Sequence, residues 1–193
     1  MVSTALVRAA APFAIPTAER SLTAASSEPE TANSFSPIEI PQTLRIESPM
    51  PIAIASDHAG YDLKEQLKQA FQDIEWLDLG THGSASVDYP DFGFAMGQAI
   101  TEGKARQGIV ICGSGIGISI AANRFAAVRA ALCTNSTMAR LSRQHNDANV
   151  LALGSRITGF EVARDCVSTF LDTPFEGGRH QRRIDRLSQA KQD

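Results

Sequence analysis

From residue 51 onward, short apolar runs alternate with stretches of helical period, and that alternation narrows the fold more than any other feature. IAIAS (52–56), IEWLDLG (74–80), GIVICG (108–113), VRAALC (128–133) and NVLALG (149–154) read as strands. Between them YDLKEQLKQAF (61–71) carries Leu63, Leu67, Ala70 and Phe71 at helical spacing. FGFAMGQAITEG (92–103), the segment from Gly117 to Phe125, STMARLSRQH (136–145), GFEVARDCVSTFL (159–171) and the basic GGRHQRRIDRLSQA (177–190) read as further helices. Strands alternating with helices imply a parallel sheet covered on both faces. In such sheets ligands sit at the carboxyl ends of the strands. Those ends carry SDHAG, GTHGSASVDYP, CGSGIG and GSR, so polar and reactive side chains converge on one edge.

Residues 1–49 have a different composition, rich in Ala, Ser, Thr, Pro and Glu with no sustained period. They read as a disordered extension, dispensable for a domain spanning 50–193. Arg8 and Arg20 give the extension a faint likeness to an organelle-targeting peptide, which Glu19, Glu28 and Glu30 dilute. A net charge of −3 and no run of membrane-spanning length argue against nucleic acid and membrane as partners. Three cysteines without a CxxC pair suit a reducing, cytoplasmic compartment. The four histidines lack metal-ligand spacing, so no metal is expected.

The loop CGSGIG joins a strand to a helix. A dinucleotide fingerprint would need GxGxxG and an acidic residue after the next strand, but this loop is GxGxG and that strand ends in Cys133-Thr134. A Walker loop would need Gly-Lys-Ser/Thr. What remains is a cradle for a small anion, or simply a tight turn requiring glycine. Cys112 tips the balance toward chemistry, because a thiol facing the N–H groups of a helix start is favoured as thiolate. Cys133 and Cys166 fit the core as small hydrophobes. His145 in SRQHNDAN sits at a helix end, where it could simply meet the dipole. Arg179 and Arg183, four apart, form either a solvated basic face or a phosphate clamp.

SDHAG, DYPDF, CGSGIGISIAANR, SRQHNDANVLALGSR and FEGGRHQRR occur in this order and spacing. From Met50 to Leu187 the chain resembles the type B ribose-5-phosphate isomerases, a family that also includes galactose-6-phosphate and allose-6-phosphate isomerases. The resemblance implies a three-layer α/β/α sandwich with a five-stranded, Rossmann-like parallel sheet. It implies aldose–ketose isomerisation, ribose 5-phosphate to ribulose 5-phosphate, without metal or organic cofactor. It also implies a homodimer or a dimer of dimers. Carried over from the family, Cys112 matches the base. The N–H groups of Gly113, Ser114, Gly115, Ile116 and Gly117 match the anion hole. Some relatives place a glutamate base where this chain has Ile118, so the chain groups with the cysteine-base members. His145 matches the ring-opening acid/base, Asn146 a sugar-binding position, and Asp57 and His58 residues that contact the sugar. Arg156, Arg179 and Arg183 match phosphate-binding arginines, with Tyr89 and His180 as lesser pocket residues. Another sugar phosphate, such as allose or galactose 6-phosphate or a tetrose phosphate, stays open as substrate. A non-catalytic sugar-phosphate-binding regulator is the rival from another class. Topology adds one expectation. Cys112 ends a strand while His145 precedes one, so His145 is expected to reach the site from a partner subunit.

Overall fold

The computed structural model describes residues 50–189; the 1–49 extension of the sequence reading lies outside them. Five strands form one sheet: β1 (Ile52–Ser56), β2 (Trp76–Asp78), β3 (Gly108–Cys112), β4 (Ala130–Leu132) and β5 (Val150–Gly154). Every pairing is parallel, in the order β2-β1-β3-β5-β4. The connections are α1 (Tyr61–Ala70), α2 (Tyr89–Thr101), α3 (Ile116–Ala122) and α4 (Ser136–Asn146). After β5 come α5 (Phe160–Asp172), a 3-10 turn (Gly178–His180) and α6 (Gln181–Ser188). Among the described residues no helix is long and apolar enough to cross a membrane.

The strand pleat sorts side chains by size. Ile54, Ile109, Ile111, Leu151 and Leu153 point to one face, where Leu63 and Leu67 of α1, Ala139 of α4 and Ala163, Cys166, Val167 and Phe170 of α5 bury them. Their neighbours Ala53, Ala55, Val110, Val150 and Ala152 point to the other, against Met96 of α2 and Ile118 and Ala122 of α3. These period-two sets are the two inner layers of an α/β/α sandwich. Small residues on the second face draw α2 and α3 close. Gly93 of α2 shows how close, since a Cβ there would overlap Ala121 of α3.

Cys133 and Cys166 belong to the first layer, and burial pushes their thiols up to about 12 and about 11. Both are therefore protonated, inert packing groups. Two helix starts differ from the sequence expectation. The second helix begins at Tyr89 rather than Phe92, because Pro90 lies in its first turn, where a missing N–H costs nothing. The C-terminal helix is preceded by a 3-10 turn at Gly178–His180 rather than running from Gly177.

One ammonium is fully buried. Lys64 Nζ donates to Asp78 Oδ1 and Oδ2 at 2.7 and 2.9 Å and to the Thr81 carbonyl at 2.8 Å. It ties α1 to the end of β2 and to the loop leading toward Tyr89. Asp78 also accepts from Lys68 (2.6 Å) and the Gly80 N–H (3.0 Å). Burial pushes the Asp78 carboxyl up, but its hydrogen bonds from Lys64, Lys68 and Gly80 outweigh that and hold it below the usual carboxylate range. A carboxyl lowered on folding adds stability above its unfolded pKa and loses it as pH falls through the folded value. Melting temperature is therefore expected to drop on acidification below about pH 4. Asp78→Asn should start lower at neutral pH and fall less over that range. Parallel melting-against-pH curves for the two proteins would remove Asp78 from acid sensitivity.

Candidate active site

A cleft of about 420 Å³ opens at the carboxyl ends of β1 and β3 and the turn after β5. Asp57, His58, Tyr89, Cys112, Gly113, Ser114, Gly117 and Arg156 line it, with Ala59 and Ile157. β3 delivers Cys112 to its floor, where the residue is 4% exposed. The chain then turns sharply through Gly115, whose φ of 76° is left-handed, so that its N–H donates to Cys112 Sγ at 3.1 Å. The sulfur on the floor of the cleft thus accepts a backbone N–H from the loop that leads into α3. Ser114 Oγ accepts the Ile116 N–H at 3.3 Å as α3 begins. Ile118, one turn on, is fully buried in the second core layer and is absent from the cleft lining.

The walls are fixed by contacts between loops. The Arg156 N–H donates to the Gly113 carbonyl at 3.0 Å, and its guanidinium lies against Gly113. Ser155, a residue the sequence reading passed over, donates from its N–H to the Cys112 carbonyl at 2.9 Å and from its hydroxyl to the Ala59 carbonyl at 2.7 Å. One serine thus joins the turns after β1, β3 and β5. Asp57 Oδ1 accepts the Gly60 N–H at 2.9 Å. His58 Nδ1 lies 3.1 Å from the Val87 carbonyl and 3.2 Å from its N–H, so either tautomer finds a partner there. The Tyr89 ring lies on Gly117 so closely that a Cβ would overlap it. Cation, thiol and a glycine-rich backbone turn share one small concavity, as handling of a small anionic substrate requires.

His145, Asn146, Arg179, His180 and Arg183 are absent from this lining. Val150, which opens β5 just after α4, pairs with Gly108, the first residue of β3, while Cys112 is the last. Four residue steps at about 3.3 Å put α4's end roughly 13 Å along the sheet from Cys112. Asn146 lines another cavity, of about 470 Å³, with Arg129 and Leu187. The turn after His145 is held by Asp147, a non-glycine residue at φ 43°. Its carboxylate takes Arg129 and Arg143 at 2.8 Å each.

The two rings of His145 and His180 stack at 4.4 Å between centroids and 5° between planes. Glu176 Oε2 lies 3.9 Å from His145 Nε2 and 3.7 Å from His180 Nε2. His180 is buried, and its Nδ1 has no hydrogen-bond partner among the described residues. Burial first, then the charges of His145, Arg179 and Arg183, hold its pKa below the usual histidine value, while Glu176 opposes them. The three side chains bring donor atoms within 4.8 Å of one another. Parallel rings aim their lone pairs side by side rather than at one point, and the arginines add positive charge. The trio suits proton chemistry better than cation binding. Glu176 escaped the sequence reading, although its position four before His180 was a usable signal.

Residues 52–187 match the model of the Ribose/Galactose Isomerase family. The chain is 44% identical over 143 residues to ribose-5-phosphate isomerase B of Escherichia coli, covering 73% of this chain and 96% of that protein. It superposes on the Clostridium thermocellum ribose-5-phosphate isomerase B with a TM-score of 0.71 at 52% identity, covering 72% of this chain and 96% of that one. The Mycoplasma genitalium enzyme, solved with bound ribulose 5-phosphate, matches with a TM-score of 0.68 at 41% identity, covering 72% and 94%.

Proposed function

The chain belongs to the ribose/galactose isomerase family, and on that premise we propose that it interconverts ribose 5-phosphate and ribulose 5-phosphate through an enediolate. The observation that carries this reading is the Gly115 N–H donating to Cys112 Sγ on the floor of the cleft. Cys112 as thiolate takes the C2 proton of the open-chain aldose. The electron pair forms the C1=C2 bond and O1 takes up the charge. The N–H groups of the 113–117 loop other than those of Gly115 and Ile116, which Cys112 Sγ and Ser114 Oγ already take, hold that charge, with Ser114 beside them; such a donor is typically worth about 3–4 kcal/mol in the transition state. Return of the proton to C1, with the O2 proton passing to O1, completes the ketose. Asp57, His58 and Tyr89 contact the sugar, and Arg156 meets the phosphate.

Ring opening precedes this chemistry and falls to His145. The imidazole moves a proton to the ring oxygen as its bond to C1 breaks, and the C1 hydroxyl gives up its own. Asn146 and His180 attend the sugar, while Arg179 and Arg183 complete the phosphate site. These groups come from a second copy of the chain, in a homodimer or a dimer of dimers with shared sites. An apolar rim supports that arrangement. Ile116 and Ile120, one turn apart on α3, are each 54% exposed, and Ile157 at the cleft is 65% exposed. The three free thiols suit the cytoplasm.

A substrate panel tests the assignment. Ribose 5-phosphate should exceed erythrose 4-phosphate, allose 6-phosphate and galactose 6-phosphate in kcat/KM by at least about tenfold, a discrimination of some 1.4 kcal/mol. A six-carbon or four-carbon phosphate at the head of that order would move the assignment to it. No turnover of any of them would leave only binding.

A further inference from the structure

Past the last paired residues the sheet no longer holds the strand ends together, and the cleft walls depend on contacts between turns. The ladders stop at Ser56 against Ile111 and at Cys112 against Gly154. β1 and β5 each pair with β3 and not with each other, so their ends stand two strand spacings apart, about 10 Å. The turn after β1 carries Asp57, His58 and Ala59 on one wall, and the turn after β5 carries Arg156 and Ile157 on the other. Each wall is pinned to the strand between them. The Asp57 N–H donates to the Ile111 carbonyl at 3.1 Å, and the Arg156 N–H donates to the Gly113 carbonyl at 3.0 Å. The Ser155 hydroxyl instead reaches past the end of β3 and donates to the Ala59 carbonyl at 2.7 Å, wall to wall. The Cys112 carbonyl, 3.3 Å away, is the farther acceptor, and a hydroxyl has one hydrogen to give. Gly154 permits the approach, since a Cβ there would overlap the backbone of Ser114.

We propose that Ser155 is a positioning residue for substrate binding: its hydroxyl fixes the spacing between the Asp57–His58 wall and the Arg156 wall, and so sets how closely the cleft fits a sugar phosphate. The inference rests on the sugar-phosphate reading of the cleft and deepens it. A sugar phosphate offers hydroxyls along its body and a doubly charged group at one end. Its binding therefore depends on the distance between the protein groups that meet each part, and such groups act together only when held within about 0.5 Å of their working geometry. Ser155 is absent from the cleft lining, so it acts through its neighbours. Ala59 directly follows His58, and Arg156 directly follows Ser155. The thiol has supports of its own. Sγ takes the Gly115 N–H, and the Cys112 carbonyl takes the Ser155 backbone N–H, which any residue except proline supplies at that position. Removing the hydroxyl thus separates the fit of the cleft from the reactivity of its cysteine.

The test uses the full chain and reads fit and reactivity separately. In Ser155→Ala, KM for ribose 5-phosphate should rise about three- to tenfold, the size expected on losing one neutral hydrogen bond, with kcat kept within about twofold. Iodoacetamide labelling of Cys112 without substrate should run at the wild-type rate. The ribose 5-phosphate concentration that halves this rate should rise by the same factor as KM. A merely structural defect would disturb the thiol as well and change the unprotected rate. Ser155→Thr keeps the hydroxyl and should recover most of the lost affinity. Ser155 is half-buried on a turn, so neither change threatens the core. Unchanged KM and protection in Ser155→Ala overturn the proposal, as does an altered unprotected rate or an equal loss of affinity in Ser155→Thr. If the wild type turns over another sugar phosphate instead, the substrate assignment alone falls, and protection by that compound carries the same comparison. Wild-type labelling that no sugar phosphate slows would overturn the reading of the cleft and this proposal with it.

Discussion

Cys112→Ala is expected to fold normally and to lose about 10²- to 10⁴-fold in kcat, the range for removing a general base, with KM changed far less. The reason lies in what the side chain touches. Sγ accepts the Gly115 N–H and faces the cleft, whereas the Cys112 backbone keeps its place through its carbonyl, which takes the Ser155 N–H. Alanine removes the proton acceptor and leaves the loop anchored. Iodoacetamide provides a second measurement. It should inactivate the wild type, and a sugar phosphate should slow the inactivation. Cys133 and Cys166 will not compete, because burial pushes them to about 12 and about 11 and keeps them protonated. Near wild-type turnover by Cys112→Ala would remove the thiol from the mechanism, and the glycine loop would remain only as a binding cradle.

Legibility in the sequence followed the number of neighbours each element has. The central strands β1, β3 and β5, paired on both sides, lie within a residue of the ranges that their apolar runs predict. The edge strands β2 and β4 are shorter than the runs 74–80 and 128–133, since a strand paired on one side has fewer partners to extend its ladder. The cleft residues were readable because topology alone sends strand ends to one edge. What escaped were groups whose meaning is a pairing across the fold. Lys64 looks like a solvated helix lysine until Asp78, fourteen residues on, is seen to hold it in the interior. Ser155 reads as a turn residue, yet its hydroxyl reaches Ala59, ninety-six positions back. Glu176 reads as surface charge until Gly177 and Gly178 are seen to fold it against the histidines. Period and composition describe faces; they do not say which residue meets which.

The distance between Cys112 and His145 carries the final expectation. α4 runs its eleven residues, about 16 Å at 1.5 Å per residue, back across the sheet before β5 starts. His145 therefore stands at the amino edge, while Cys112 ends β3 at the carboxyl edge. A pentose phosphate cannot bridge both within one chain, so catalysis by both requires two chains. Cys112→Ala and His145→Asn proteins, each nearly inactive on ring-closed substrate, should regain activity when dissociated together and reassociated. Equal mixing makes half the dimers hybrid, and each hybrid holds one intact site and one doubly altered site, so about a quarter of wild-type activity should return if two-fold symmetric dimers form. The gain should appear only after exchange of chains and should track the hybrid fraction measured by native mass spectrometry. If both residues acted within one chain, every site in every hybrid would lack one of them. Hybrids present in the expected proportion but inactive would sink the shared site and return His145 to the surface of its own subunit.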